Sequence, residues 1–473
     1  MRAVRRPWSI TLTIAALAAC TAGCATVPGT APWPPPAARP VTVTILSGMD
    51  TSISPGSQPL RAATGMYDEL VNWWNINEQP LTHIHVQLDT IDGSATLEHS
   101  EMLVAAQAGD ARYDIYNLDN EWVPEFAAGG YIQSLQDILP EGGFLSQPLA
   151  SGRDASGRLY AAPFTTDVGL LYYRSDLVHN ASSLGTFGQV LQAARQVQAS
   201  DPAMTVGYAG QFDEYEGLTV NLLEIIRGEA PDAIGPDGEI RDPAAVAAAL
   251  EQIALALAPG GPIPGPEVRS YTELQSYQAF LHGYAVFMRN WPIYYNLLTA
   301  PQSGSSTVAG KFGVVPLPFP SVLGGQDLAI SASSAHPDEA LQVVEFLTSP
   351  QAERCLFAVG GFPATRPGAY AQDKQLPTEY QVAGKPAVMG HRLCGRVTGR
   401  QLMIGPEIKK GITGAFPRPV TPYYTEFSTI IQGQVWPLLI NASQPGSAYS
   451  VSDTVNMLAR DIQAALTGHA APP

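Results

Sequence analysis

Charge is scarce in this chain. Only 14% of its 473 residues are charged, and the basic sign is the scarcer one, with 26 Lys and Arg against 42 Asp and Glu. A formal net charge of −16 argues against nucleic acid as a partner and against a general attraction to anionic lipid. Cysteine is rarer still, with four in total. No His-Cys spacing of the zinc type surrounds them, so neither a metal nor a cofactor is expected. Gly-x-Ser-x-Gly, His-Glu-x-x-His and a phosphate loop are all missing, which leaves nucleophilic, metalloprotease and nucleotide chemistry without a motif. His83 and His85 alternate on an expected strand, but one isolated pair is a weak metal signal. Past the first residues there is no uncharged apolar run of about 18, so no membrane-spanning helix is expected.

What is present begins with the N-terminus. Arg2, Arg5 and Arg6 precede an apolar stretch from Trp8 to Ala19, followed by Leu17-Ala18-Ala19-Cys20. A positive start, a short apolar core and small residues before a cut describe a secretory signal. Leu-Ala-Ala-Cys resembles a bacterial lipobox, which implies acylation of Cys20; Thr21-Ala22-Gly23-Cys24 makes Cys24 the alternative. Residues 1–19 are thus read as a lipoprotein signal peptide. Residues 20–40, with Pro32, Pro34, Pro35, Pro36 and Pro40, are read as an anchor and tether, because such a stretch favours extended polyproline form over a packed core. The expected location is the outer face of the cell membrane. In that oxidising compartment Cys355 and Cys394, an even pair, are expected to form a disulfide.

The body alternates strand-like and helix-like segments. Val41–Leu46 alternates β-branched residues and reads as a strand. Ala62–Asn77 places Met66, Leu70, Val71 and Trp74 on one side of a helix. Strands are expected at 84–88, 113–118, 205–208, 284–288, 311–317 and 326–331, with helices at 95–108, 187–199, 215–227, 243–257, 271–282 and 336–347. This order predicts an α/β fold built on largely parallel sheet.

Several segments, taken in order, resemble one family: the extracellular solute-binding proteins of ABC importers, in their trehalose/maltose-binding group. They are Tyr113-Asp114-Ile115-Tyr116-Asn117-Leu118-Asp119-Asn120-Glu121-Trp122, Ala162-Pro163-Phe164-Thr165-Thr166-Asp167 with the strand after it, Tyr215-Glu216-Gly217-Leu218, Arg289-Asn290-Trp291-Pro292, Leu328-Ala329-Ile330-Ser331 and Arg418-Pro419-Val420-Thr421-Pro422-Tyr423-Tyr424. The resemblance implies a two-lobed, periplasmic-binding-protein-like fold of class II with a hinged central cleft. Residues 41–162 plus 327–370 would form one lobe and 163–326 plus 371–473 the other. It also implies a protein that is not an enzyme, a monomer that captures a sugar such as trehalose or maltose and delivers it to permease subunits driven by their ATPase. A secreted glycoside hydrolase, a binder of another solute and a sensor remain the alternatives, since two spaced carboxylates suffice for a glycosidase.

Sugar hydroxyls call for carboxylate acceptors, and the apolar faces of sugar rings call for aromatics. Asp119 follows a strand end, where ligands sit in open α/β sheets; it reads as a hydroxyl acceptor or as a helix cap. The resemblance places Asp167 on ligand, against the alternative of a surface turn. Trp291 is expected to stack on a sugar, or else to be core. Arg418, held between two prolines, is expected on ligand or in a structural ion pair. Asn120, Tyr215, Glu216 and Tyr423 complete the candidate set. His99 stands where related sugar binders carry an Arg. Gln326 departs from the pattern by standing where a Trp is expected.

Overall fold

A computed structural model describes residues 40–48, 61–92, 94–263, 266–299, 306–371, 381–382, 385–386, 393 and 401–469. Cys20, Cys24 and Cys394 lie outside them. In chain order the strands of the two lobes are β1 (Val41–Gly48), β2 (Ile84–Ile91), β3 (Ile115–Asp119), β4 (Ala161–Pro163), β5 (Asp167–Val168), β6 (Leu170–Arg174), β7 (Val206–Ala209), β8 (Ala285–Asn290), β9 (Phe312–Pro316), β10 (Leu323–Gly324) and β11 (Gln326–Ile330).

The first lobe is a five-stranded sheet in the order β2-β1-β3-β11-β4. Its Val43 and Ile45 are fully buried, and the helix Arg61–Asn77 covers them with Met66, Leu70, Val71 and Trp74, all buried as the helical spacing predicts. The Trp74 indole N–H also finds a partner, the Ile84 carbonyl at 3.0 Å, so its burial leaves no polar group unpaired. The second lobe is a four-stranded sheet, β7-β8-β6-β9, flanked by helices that include Phe187–Ser200, Glu216–Glu229 and Pro243–Leu257. Pro243 opens the last of these, and the Asp242 carboxylate caps it by accepting from the Ala245 N–H at 3.0 Å. A proline at the first helical position sacrifices no hydrogen bond there.

The expectation of largely parallel sheet is corrected. β1 pairs in parallel with β2 and β3, and β7 with β8, but β11 runs antiparallel to β3 and β4, and β6 antiparallel to β8 and β9. The antiparallel members are those next to the crossings between lobes, where the chain must reverse. β5 pairs with β10 as a two-stranded ribbon at the crossing. Gly325 makes the kink from β10 to β11 with φ +119°, and a Cβ there would sit 2.3 Å from the Thr165 carbonyl oxygen; only glycine tolerates both demands. A second correction concerns His83. It ends the turn Gln79–Thr82 in left-handed conformation, before β2 begins, so it does not share a strand with His85. Among the described residues no helix is long and apolar enough to cross a membrane.

Asp327 in β11 is 1% exposed, and the Ser151 hydroxyl donates to its carboxylate at 3.0 Å. Burial pushes its carboxyl up to about 8, against the pull of that hydrogen bond. The unfolded chain releases this proton near pH ~4, so between about pH 4 and 8 the folded state holds a proton that the unfolded state has lost. Stability therefore falls as pH rises through that window, with a slope of up to ~1.4 kcal/mol per pH unit from this group. Asp327→Asn is expected to flatten the decline of melting temperature over that range; an unchanged slope would refute the assignment.

Candidate functional site

The register of β11 on β3 places Gln326 directly opposite Asp119. The Gln326 amide spans the gap: its Oε1 accepts from the Thr165 hydroxyl at 2.6 Å, and its Nε2–H reaches Asp119 Oδ1 at 3.4 Å. Asp119 precedes the turn Asn120–Trp122, yet its carboxylate makes no capping hydrogen bond. The capping alternative is therefore not realised, and the carboxylate faces the cleft. Asp119 and Gln326 line a cavity of about 250 Å³ together with Ser47, Asn117 and Thr165 on the polar side and Tyr67, Phe164 and Phe362 on the aromatic side. Asp68 and Glu98 also line it. Asn117 donates to the Ser47 hydroxyl at 2.9 Å, which steers its amide within the wall. Acceptors beside aromatic rings are what a polyhydroxylated ring requires.

Trp291 and Asp167 stand apart from that lining, together beside Gly324 of the crossing strand. A Cβ on Gly324 would touch the Asp167 Cβ at 3.3 Å and the Trp291 ring at 3.6 Å. Asp167 pairs in β5 with Gly324 rather than occupying a surface turn. Trp291 is only partly buried, against the edge of the second lobe's core. Its indole N–H donates to Glu273 Oε1 at 3.2 Å, while Tyr215 donates to Glu273 Oε2 at 2.8 Å. Beneath the Trp291 ring, 3.8 Å from its centroid, lies the Arg289 guanidinium. Arg289 is fully buried and held twice by Glu224, at 2.8 Å from Nε and from Nη2. Glu224 also accepts from the Ser321 hydroxyl at 2.8 Å and the Val322 N–H at 3.2 Å, and Ser321 Oγ accepts from the Gly169 N–H at 2.6 Å. One buried ion pair thus ties the seat of Trp291 to both crossing segments.

The third group gathers around Arg418. Its Nη1 donates to Glu121 Oε1 at 2.6 Å and to Glu216 Oε1 at 3.0 Å. Its Nη2 donates to Asn120 Oδ1 at 2.8 Å and makes an ion pair with Glu121, with Asp119 at 3.9 Å. Glu216 is held in turn by the hydroxyls of Tyr424 and Ser428, each at 2.5 Å. Burial pushes the Glu121 carboxyl well above the ordinary range; Arg418 opposes this, and Asp119 and Glu216 add to the push. The expected ion-pair alternative for Arg418 is thus present in full. His99, likewise buried, contacts Glu125 at 2.7 Å, and Thr425 reaches both at 3.3 Å.

Of the sequence candidates, Asp119, Asn120, Glu216, Gln326 and Arg418 form one connected set, and Tyr215 joins Trp291 through Glu273. Tyr423 joins neither, since its hydroxyl lies at the end of the C-terminal helix near Gly468. Its neighbour Tyr424 reaches the connected set, by donating to Glu216. The signal was available: Tyr424, Phe427, Ser428 and Ile431 are the buried face of the helix Tyr424–Ala442. Glu121 and Glu273 were missed because their partners are far off in sequence. Among the described residues no group of three or more His, Cys, Asp or Glu is placed to hold a metal ion.

A family model described as bacterial extracellular solute-binding protein matches residues 78–354. A "probable ABC transporter-binding protein" of Deinococcus radiodurans is 32% identical over 283 residues, 56% of this chain and 64% of the relative. An "uncharacterized lipoprotein in oleD 5'region" of Streptomyces antibioticus is 32% identical over 174 residues, 36% of this chain and 34% of its own length. The chain therefore spans less than two thirds of the curated relatives it matches. Among solved structures, maltose-bound T. maritima MalE3 superposes with a TM-score of 0.71 at 25% identity, covering 89% of this chain and 99% of that one.

Proposed function

Because the chain belongs to the bacterial extracellular solute-binding protein family, we propose that it captures a sugar outside the cell and hands it to the permease of an ABC importer. The observation that carries this reading is the cavity wall, where Asp119, Asn117 and Gln326 stand beside Tyr67, Phe164 and Phe362. The maltose-bound relative supports a disaccharide such as maltose or trehalose as the first candidate. In this reading Asp119, Gln326 and Asp167 meet ring hydroxyls, Trp291 offers a stacking face, and the two lobes close over the solute by a hinge at β5 and β10. Asn120, Glu216 and Arg418 shape the closed form from beside the cavity.

The test is thermal unfolding with a sugar panel that includes maltose and trehalose. A bound sugar at a hundred times its dissociation constant stabilises by ~2.7 kcal/mol, enough for a clear rise in melting temperature. No shift and no calorimetric heat with any sugar would end the sugar assignment and leave the fold untouched.

Lipid attachment at Cys20, with Cys24 as alternative, belongs to the same proposal, as does a Cys355–Cys394 disulfide. Cys355 is 1% exposed within the first lobe's core, and Leu393, the residue before Cys394, packs against that same cluster. Mass spectrometry of the mature protein under non-reducing conditions reads both modifications; an unacylated N-terminus or free thiols would refute them separately.

A further inference from the structure

We infer that Glu121 is a positioning residue that clasps Arg418 across the mouth of the cleft, so that the chain's own groups hold the lobes together independently of any solute. Glu121 belongs to the first lobe, on the turn after β3. Arg418 belongs to the second, and its backbone is fixed there. The Phe416 N–H donates to the Ser321 carbonyl at 3.0 Å, the Val420 N–H donates to the Pro236 carbonyl at 3.0 Å, and prolines flank Arg418 on both sides. The bonds from Arg418 to Glu121 and Asn120, at 2.6 and 2.8 Å, therefore cross from lobe to lobe. Its bond to Glu216 stays within its own lobe.

A guanidinium has five N–H groups. In Arg418 the terminal nitrogens make three hydrogen bonds, to Glu121 Oε1, Glu216 Oε1 and Asn120 Oδ1, and Nη2 also makes an ion pair with Glu121 Oε2. Nε is buried without a hydrogen-bond partner among the described residues. The hydrogen bonds of Arg418 among the described residues thus all go to the chain's own groups, and those to Glu121 and Asn120 cross between the lobes. Neither Glu121 nor Arg418 is among the described residues lining the cavity. A second crossing contact lies beside the first, where Thr425 of the second lobe meets Glu125 and His99 of the first.

The energetics suit a clasp that must reopen. Desolvation offsets much of the attraction in a buried ion pair, so the intact contact leaves only a modest net preference for the closed form. Removing one partner is another matter, because it strands the other. Without Arg418, three carboxylates (Asp119, Glu121 and Glu216) would face one another in the closed form. Without the Glu121 charge, Arg418 keeps Glu216 but loses its main hold on the first lobe.

The experiment measures the distance between lobes in the ligand-free full chain by pulsed electron resonance. Spin labels are attached through a ketone-bearing unnatural residue at Val104 and Leu255, exposed positions on the first and second lobe, which leaves the cysteines untouched. The unmodified chain is expected to show mainly the short distance. Arg418→Met and Glu121→Gln are each expected to lower the ratio of closed to open by on the order of a hundredfold, the usual scale for breaking a buried pair. Glu216→Gln removes only a contact within one lobe and is expected to keep the short distance, and Arg418→Lys to fall between. Circular dichroism melts confirm that each variant is folded, and the lysine variant serves if the methionine one is not. A mainly long distance in the parent chain, or folded variants that stay closed, would overturn the inference.

Discussion

Replacing Glu224 with alanine is expected to cost about 3–5 kcal/mol of folding stability, the scale for leaving a buried charge without its partner. Arg289 is wholly enclosed, and among the described residues it keeps only Gln211 Oε1, at 3.3 Å, as a side-chain acceptor without Glu224. The Ser321 hydroxyl and the Val322 N–H lose an acceptor in the same stroke. Chemical denaturation should show a lower midpoint at unchanged slope. The paired change Glu224→Leu with Arg289→Met should cost far less than the single one, since removing both charges strands neither. A loss under ~1 kcal/mol from the single change, the range of an exposed pair, would mean that water reaches Arg289.

Asp119→Ala is expected to weaken solute binding by about 10- to 100-fold while leaving the ligand-free melting temperature nearly unmoved. The magnitude follows from a hydrogen bond to a charged group, ~1.5–3 kcal/mol. The selectivity follows from geometry: Asp119 makes no cap, and its contacts to Gln326 and Arg418 are long, at 3.4 and 3.9 Å. Little in the resting fold depends on it. Calorimetric titration with whichever sugar shifts the melting temperature supplies the measurement. An unchanged affinity would remove Asp119 from the binding surface, and a large fall in the ligand-free melting temperature would make its role structural.

These cases show why some parts of the molecule were readable in sequence and others were not. Helix Pro243–Leu257 was legible to the residue because its signals are local: a capping Asp242, a proline at the first position and an apolar repeat. Strands were legible as segments with ends off by one to three residues, which was close enough to set Asp119 at the end of β3; Gln326 stood out because the resemblance expects a Trp there. Strand direction was not, since β11 takes its direction from where the chain re-enters the first lobe. The expected lobe boundary at residue 370 meets a similar limit. Phe357, Ala358, Ala364, Ala369 and Tyr370 pack with the larger, second-lobe cluster, whereas Ala352, Cys355 and Leu356 pack with the first. All are equally apolar, and nothing local tells the two cores apart. Arg418 was singled out, but its partner Glu121 lies 297 residues away. No spacing rule reaches that far.

The strand order carries a last consequence, for how the chain is made. β11 lies between β3 and β4, yet it is synthesised after the whole of the second lobe's sheet. At ~5–20 residues per second, about 10–30 s separate the emergence of β4 from that of its neighbour. Until then the first lobe has a gap between β3 and β4, and Leu118 and Ala162 lack the strand that will pair with them. Nascent chains cannot complete either the lobe or the cleft from the N-terminus onward. Truncation just before Gln326 leaves β3 and β4 without the neighbour they share, which exposes unpaired sheet edges instead of giving a smaller working protein.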